Sequence, residues 1–119
     1  MSNRRGFERA DRVAQQVHEV IARLFLNEIN DPRLEEVEIR DVDMAPDLRN
    51  AWVYFTLIHG DDEPSTEVEE ALDGVSGFVR SKLGEKLTMK YVPEVEFRFD
   101  ESAVKGRRID ELLSDLRDD

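Results

Sequence analysis

Apolar residues recur along this chain in two rhythms. Val13, Val17, Val20, Ile21 and Leu24 stand at i, i+4, i+7, i+8 and i+11, one face of a 3.6-residue period. The spacing predicts an amphipathic helix over residues 7–29, with Arg9, Arg12, Glu19 and Arg23 mostly off the apolar face. Asn30-Asp31-Pro32 should stop it, because the residue before a proline is pushed out of the α region. The rhythm then changes to two. Val37 and Ile39 alternate with charges and Val42 follows out of step, so a half-buried strand over 36–43 should shift phase near Asp41. Residues 44–50 read as a turn whose chemistry is Pro46 and Asp47. Residues 51–58, Ala-Trp-Val-Tyr-Phe-Thr-Leu-Ile, carry the strongest strand signal. They are apolar on both faces, which predicts a strand that is central or covered on both sides.

An acidic loop, Gly60 to Ser65, leads to Thr66 and Glu69, a capping-box pattern. Val68, Ala71, Leu72 and Val75 then give a second helix, which runs into Gly74-Val75-Ser76-Gly77. Two glycines in a helical context should kink or break it there. A third helical run follows from Phe78 to about Leu87, with Val79, Leu83 and Leu87 on one stripe. Val92-Pro93 ends the connection, and Val95, Phe97 and Phe99 alternate with charges as a third strand. Ile109, Leu112, Leu113 and Leu116 return to helical spacing within 107–117, a short helix or a tail that docks only on a partner. The order is α-β-β-α-α-β, an α+β class. A strand, a helix pair and a further strand imply a crossover, so the second and third strands should be parallel, with the helices on one face of the sheet.

A chain of 119 residues has room for one domain. It has no cysteine, which excludes disulfides, thiolate-held metals and thiol catalysis and fits a reducing cytoplasm. The N-terminus has no apolar h-region of a signal peptide, and no run approaches a membrane span. The net charge of −11 repels nucleic acid taken as a whole, but the charge is unevenly spread. Residues 61–73 hold seven acids and no base, whereas residues 80–108 hold eight bases against five acids. Residues after about 106 form an acidic tail expected to be flexible, with five acids and one base over 109–119.

Few residues suggest catalysis. His18 sits beside the apolar stripe of the first helix and reads as a partly exposed helix histidine. His59, Asp61, Asp62 and Glu63 offer metal-ligand atoms but lack a calcium-loop pattern, so a solvated acidic turn is preferred. Asp41 and Asp43 point to one side of a strand with no partner for acid–base work. Neither a phosphate-binding P-loop, a dinucleotide fingerprint nor a nucleophile elbow is present. The expectation is a non-enzyme with no cofactor, no metal and no small-molecule substrate.

Three features bear on nucleic acid. The sequence Gly74-Val75-Ser76-Gly77 lies between two helical runs, where KH domains clamp a nucleic-acid backbone. Its inner residues are neutral and Asp73 precedes it, so two small residues letting helices cross closely is the preferred reading. Arg80, Lys82, Lys86 and Lys90 follow, and spacings of four set Lys82 and Lys86, with Lys90 beyond them, away from the apolar stripe. Bases so placed bind phosphates or form an ordinary solvated face. Trp52 and Tyr54 share one face of the main strand, where aromatics stack on bases or simply pack.

Several short stretches also fall in a familiar order. They are Arg12-Val13-Ala14, Asp31-Pro32-Arg33, Pro46-Asp47-Leu48-Arg49 and Ala51-x-Val53-Tyr54. Ser76-Gly77-Phe78-Val79-Arg80, Leu83-Gly84 and Val92-Pro93-Glu94 come next. Phe97-x-x-Asp100-Glu101-Ser102 and Gly106-x-Arg108-Ile109 are last. As an ordered set the chain resembles the ribosome-binding factor A family of bacterial small-subunit assembly factors. The resemblance implies a type II KH-like fold, α-β-β-α-kink-α-β, filling residues 1–119 as one domain. The family's interhelical Ala-x-Gly kink would fall at Val75, Ser76 and Gly77, where valine replaces the alanine. The resemblance further implies a cytoplasmic monomer that binds the immature 30S subunit through 16S rRNA, assists late rRNA maturation and matters for growth in the cold. The family supplies no motif of contact residues. Charge alone therefore nominates Arg80, Lys82, Lys86 and Lys90, then Arg49, Arg107 and Arg108, with Arg4 and Arg5 as a flexible arm. The competing expectation is an interaction module whose acidic surface docks a basic ribosomal protein.

Overall fold

A computed structural model of the chain describes residues 4–59 and 63–102, with residues 109, 112–114 and 116 beyond them. Helix α1 (Arg4–Asn27) buries Ala10, Ala14, Val17, Ile21 and Leu24, the stripe its period dictates. It ends before the Asn-Asp-Pro signal: the amides of Glu28 and Ile29 both donate to the Leu24 carbonyl, at 2.9 and 2.8 Å. Asp31 then caps a 3-10 turn (Pro32–Leu34). Its carboxylate accepts from the Arg33 guanidinium and amide, which hold its pKa below the usual carboxylate value.

Strand β1 (Val37–Met44) carries the expected change of phase. Its pairing with β2 (Asn50–Leu57) skips Arg40, so Ile39 faces Phe55 and Asp41 faces Tyr54. This bulge resets the alternation, and Val37 and Ile39 before it point to the same face as Val42 and Met44 after it. Strand β3 (Glu94–Phe99) runs parallel to β2, and the sheet order is β1-β2-β3. β2 is central, but it is covered on one face only. Ala51, Val53, Phe55 and Leu57 are buried, while Trp52, Tyr54 and Thr56 stay half-exposed on the other side. β2 thus meets the central alternative of the expectation and not the double cover, and the Trp52 ring on its open face lies against the Arg98 guanidinium.

Helix α2 (Thr66–Lys86) joins the two expected helical runs into one element, with no break at residues 74–77. Its N-cap is Ser65, whose hydroxyl accepts from the Val68 amide at 3.2 Å, one residue before the Thr66 cap expected. A Cβ added at Gly74 or Gly77 would meet nothing within 4 Å, so neither glycine serves a close helix crossing. Their amides lie inside a hydrogen-bonded helix, which also removes the free N–H groups a phosphate clamp requires. Ser76 donates to the Asp73 carbonyl at 2.8 Å, the back-bonding pattern that accompanies helix bending. Both helices cover one face of the sheet, α1 against β1 and α2, and α2 against β3. Phe25 and Phe97 meet edge to face at 5.9 Å, and Phe55 and Phe99 at 5.7 Å. The C-terminal residues described are helical, and Ile109, Leu112, Leu113 and Leu116 are exposed.

Candidate nucleic-acid interface

The nominated bases divide into three groups. Arg80 and Lys82 are occupied within the fold. Arg80 donates through Nε to the carbonyl of fully buried Pro93 at 3.0 Å and through Nη2 to that of Val92 at 3.3 Å, and pairs with Glu94 at 3.5 Å. It fastens the α2–β3 connection to α2. Lys82 lies between Glu28 and Glu85, at 3.7 and 3.6 Å, over the Phe78 ring, with its side chain only 24% exposed. It ties α2 to the end of α1. Lys86 is exposed, but its surroundings include Glu19 and Glu28, so the α2 face is mixed in charge.

Lys90 and Arg49 form the second group. Lys90 lies four residues past the end of α2 and leaves the line of Lys82 and Lys86. It instead reaches a concavity of about 460 Å³ shared with Arg9, Arg49 and Tyr91. The Arg49 guanidinium stands 4.8 Å from the Tyr91 ring centre and the Lys90 ammonium 5.5 Å, both within cation–π range. Val13, Leu48 and Met89 form the apolar floor, and Gln16, Asp47 and Thr88 complete the lining. Among the described residues, three bases thus meet one acid here, on a chain whose net charge is −11.

Backbone bonding sets this geometry. Pro46 and Asp47 turn the chain, with the Leu48 amide donating to the Ala45 carbonyl at 2.8 Å. Leu48 has φ of +63°, a left-handed conformation costly for a residue with a side chain. The Arg49 amide donates to the Asp47 carboxylate at 3.0 Å, and the Arg49 carbonyl accepts from the Glu94 amide at 2.9 Å. Arg49 is therefore pinned at both ends of its main chain. On the other side of the cleft, Gly84 lets α2 approach the 87–93 connection; a Cβ there would come within 3.0 Å of Val92 Cγ2. Arg80 holds the same segment one turn earlier. Lys90 and Tyr91 are presented from a loop fixed at Val92 and Pro93.

Arg4 and Arg5 make up the third group together with Arg107 and Arg108. The expected flexible arm is instead the first turn of α1, because the helical period extends to Arg4. A Cβ at neighbouring Gly6 would lie 3.8 Å from Pro46 Cβ, so this turn begins beside the β1–β2 turn. Arg107, Arg108, Asp61 and Asp62 lie outside the described residues. His59 pairs with Glu36 at 3.6 Å, and among the described residues no group of three metal-ligating side chains is assembled. Arg9 and Tyr91 belong to the site but escaped the sequence reading. Adjacent Lys90-Tyr91, a base beside an aromatic, was the available signal.

The open sheet face is of opposite character. Register puts Glu38, Asp41, Asp43 and Glu96 there with Trp52 and Tyr54, while the Glu94 carboxylate at the strand end turns to Arg80. Arg98 lies 5.6 Å from the Trp52 ring and donates to Glu96 at 3.0 Å. Glu96 and the Tyr54 hydroxyl raise its pKa further. Phosphates approaching these aromatics would meet carboxylates, which disfavours base stacking on Trp52 and Tyr54.

Among the described residues no helix is long and apolar enough to cross a membrane. Residues 9–113 match the family model described as Ribosome-binding factor A. A relative of that name from Citrifermentans bemidjiense is 39% identical over 109 residues, covering 92% of this chain and 91% of its own. The fold is that of ribosome-binding factor A from Thermus thermophilus, with a TM-score of 0.65 at 19% identity over 76% of this chain and 93% of that one. A Thermus thermophilus homology model fitted into a cryo-EM map of a 30S complex matches with a TM-score of 0.61 and 19% identity, over 74% and 91% of the chains. With a family match spanning most of its length, a KH-like α+β fold and a basic cleft on an acidic surface, this chain belongs to the ribosome-binding factor A family.

Proposed function

We propose that the protein binds the immature 30S subunit through 16S rRNA and assists the late maturation of that RNA, in the cytoplasm and as a single copy. The carrying observation is the convergence of Arg9, Arg49 and Lys90 on Tyr91, a basic concavity on a chain otherwise acidic. Family membership supports the target, as does a fold relative fitted into a map of a 30S complex. Phosphate contacts at the cleft fix orientation, and shape more than sequence is read. The acidic sheet face and the acidic α2 start repel unspecific RNA, so naked RNA is held weakly at physiological salt. Binding one rRNA conformation better than its competitors shifts the population towards it. That bias matters most in the cold, where trapped RNA conformations rearrange slowly.

A second reading rests on the sheet face. Its carboxylates Glu38, Asp41, Asp43 and Glu96 suit a basic ribosomal protein, with the RNA contact incidental. Co-sedimentation with purified small subunits across a salt series separates the two. Reversal of Arg9, Arg49 and Lys90 to glutamate should abolish binding. In a milder form, neutralising them to glutamine should lower the log–log salt slope by about 2 to 3. Reversal of Asp41, Asp43 and Glu96 to lysine should leave particle binding in place. Binding that survives the first change and fails with the second would replace the RNA reading by the protein one.

A further inference from the structure

We infer that the Arg49–Tyr91 cleft takes a single unpaired nucleotide, its base against the paired guanidinium and ring and its phosphate on the exposed basic side chains beside them. This deepens the RNA-binding reading and rests on it. Phosphate capture alone does not explain the apolar part of the lining. Here the basic side chains border an open concavity of about 460 Å³ with an apolar side to it, a volume in the range of small-molecule sites. The floor is Val13, Leu48 and Met89, apolar groups that gain by covering a flat base. The Arg49 guanidinium already lies 4.8 Å from the Tyr91 ring centre, and such a plane serves as a stacking platform for unstacked bases. Tyr91 is 53% exposed, so it gives the platform without being committed to the core.

The polar groups agree with this assignment. Arg9 and Lys90 are exposed basic side chains of the lining, free to meet the phosphates on either side of a splayed base. Asp47 has the wrong sign for a phosphate and the right one for an exocyclic amino group. Gln16 and Thr88 add an amide and a hydroxyl for the remaining base edge. The site is also set before any ligand arrives. The Arg49 main chain is tied to Asp47 and Glu94, and the Tyr91 loop is held by Arg80. Preorganisation of this kind lowers the ordering cost of binding.

The test is an NMR titration of the full chain with adenosine 5′-monophosphate and, separately, ribose 5-phosphate. The nucleotide should shift the signals of Val13, Leu48, Met89 and Tyr91 saturably, and ribose phosphate should bind at least about tenfold more weakly. Tyr91→Leu should weaken the nucleotide about tenfold, and Tyr91→Phe should retain it. Equal binding of the two probes, shifts confined to other residues, or no saturable shift would each overturn the inference. None of these touches the RNA-binding reading, which stands or falls on 30S co-sedimentation of the Arg9, Arg49 and Lys90 reversal. If that variant sediments as wild type, both fall together.

Discussion

Arg80→Ala separates a structural arginine from an RNA-binding one. The guanidinium spans from α2 to two consecutive carbonyls, Pro93 at 3.0 Å and Val92 at 3.3 Å, in a part-buried setting. A hydrogen bond from a charged donor contributes about 1.5–3 kcal/mol when well formed. The longer second bond and the partial exposure of Arg80 argue for the lower end, about 2 kcal/mol for the pair. The Glu94 contact adds little, because at 3.5 Å that carboxylate is 73% exposed. With an unfolding entropy of about 2.1 cal/mol/K per residue, 2 kcal/mol lowers Tm by about 8 °C for a chain of this length. Thermal and urea unfolding followed by circular dichroism measure this directly. Arg80→Lys should recover less than half, since an ammonium lacks the fork that reaches both carbonyls. Binding to small subunits, measured well below both transitions, should fall less than twofold. A stability change below about 0.5 kcal/mol together with lost particle binding would refute the reasoning and return Arg80 to the RNA surface.

Glycine substitutions along α2 should differ in sign. Gly74→Ala and Gly77→Ala should each stabilise by about 0.5–1 kcal/mol, because the added methyls meet open space in a helix. Gly84→Ala should instead destabilise, since its methyl meets Val92 at 3.0 Å in a loop that Arg80 holds in place; urea midpoints decide all three. Trp52, the single tryptophan, reports on the open sheet face, and its emission should not move when the protein binds small subunits. A shift or quench would place RNA or protein on that face. The Asp31 and Asp100 carboxyls should titrate below the usual aspartate range by NMR, Asp31 through the Arg33 guanidinium and Asp100 through the Ser102 hydroxyl. A folded-state pKa below the unfolded one makes their stabilisation complete above about pH 5 and lost as pH falls through the lowered values. The stability gap between wild type and Asp100→Asn should therefore narrow between about pH 5 and pH 2, and a gap that widens would reverse the sign.

Local pattern was enough for the elements and much of the topology. The 3.6 period of α1, the phase slip at Asp41 and the alternation of β3 follow from side-chain spacing, which the backbone geometry imposes. The parallel β2–β3 pair followed from handed crossover connections. The motif order in the sequence also placed the chain in its family. Cover on a strand was not legible, because Trp52 and Tyr54 are apolar enough for a core yet pack over Arg98 in the open. Continuity of α2 was not legible either, since glycine's local penalty of about 1 kcal/mol is overridden when both flanks pack on one sheet.

The site shows the same limit more sharply. Charge along the chain nominated Arg80, Lys82, Lys86 and Lys90 as one face, because sequence spacing gives direction on a helix but not what waits there. Tertiary contacts assigned Arg80 to two carbonyls and Lys82 to two glutamates, and carried Lys90 beyond the helix to Tyr91. Arg9, Arg49 and Lys90 come from α1, the β1–β2 turn and the α2–β3 connection, and the outer two, Arg9 and Lys90, stand 81 residues apart in sequence. The sequence by itself determined which segments form helices and strands, how they connect and which family they serve. Only the tertiary structure decided which cations are spent inside the fold and which remain together at a cleft, because ion pairing and packing act between segments that no local period relates.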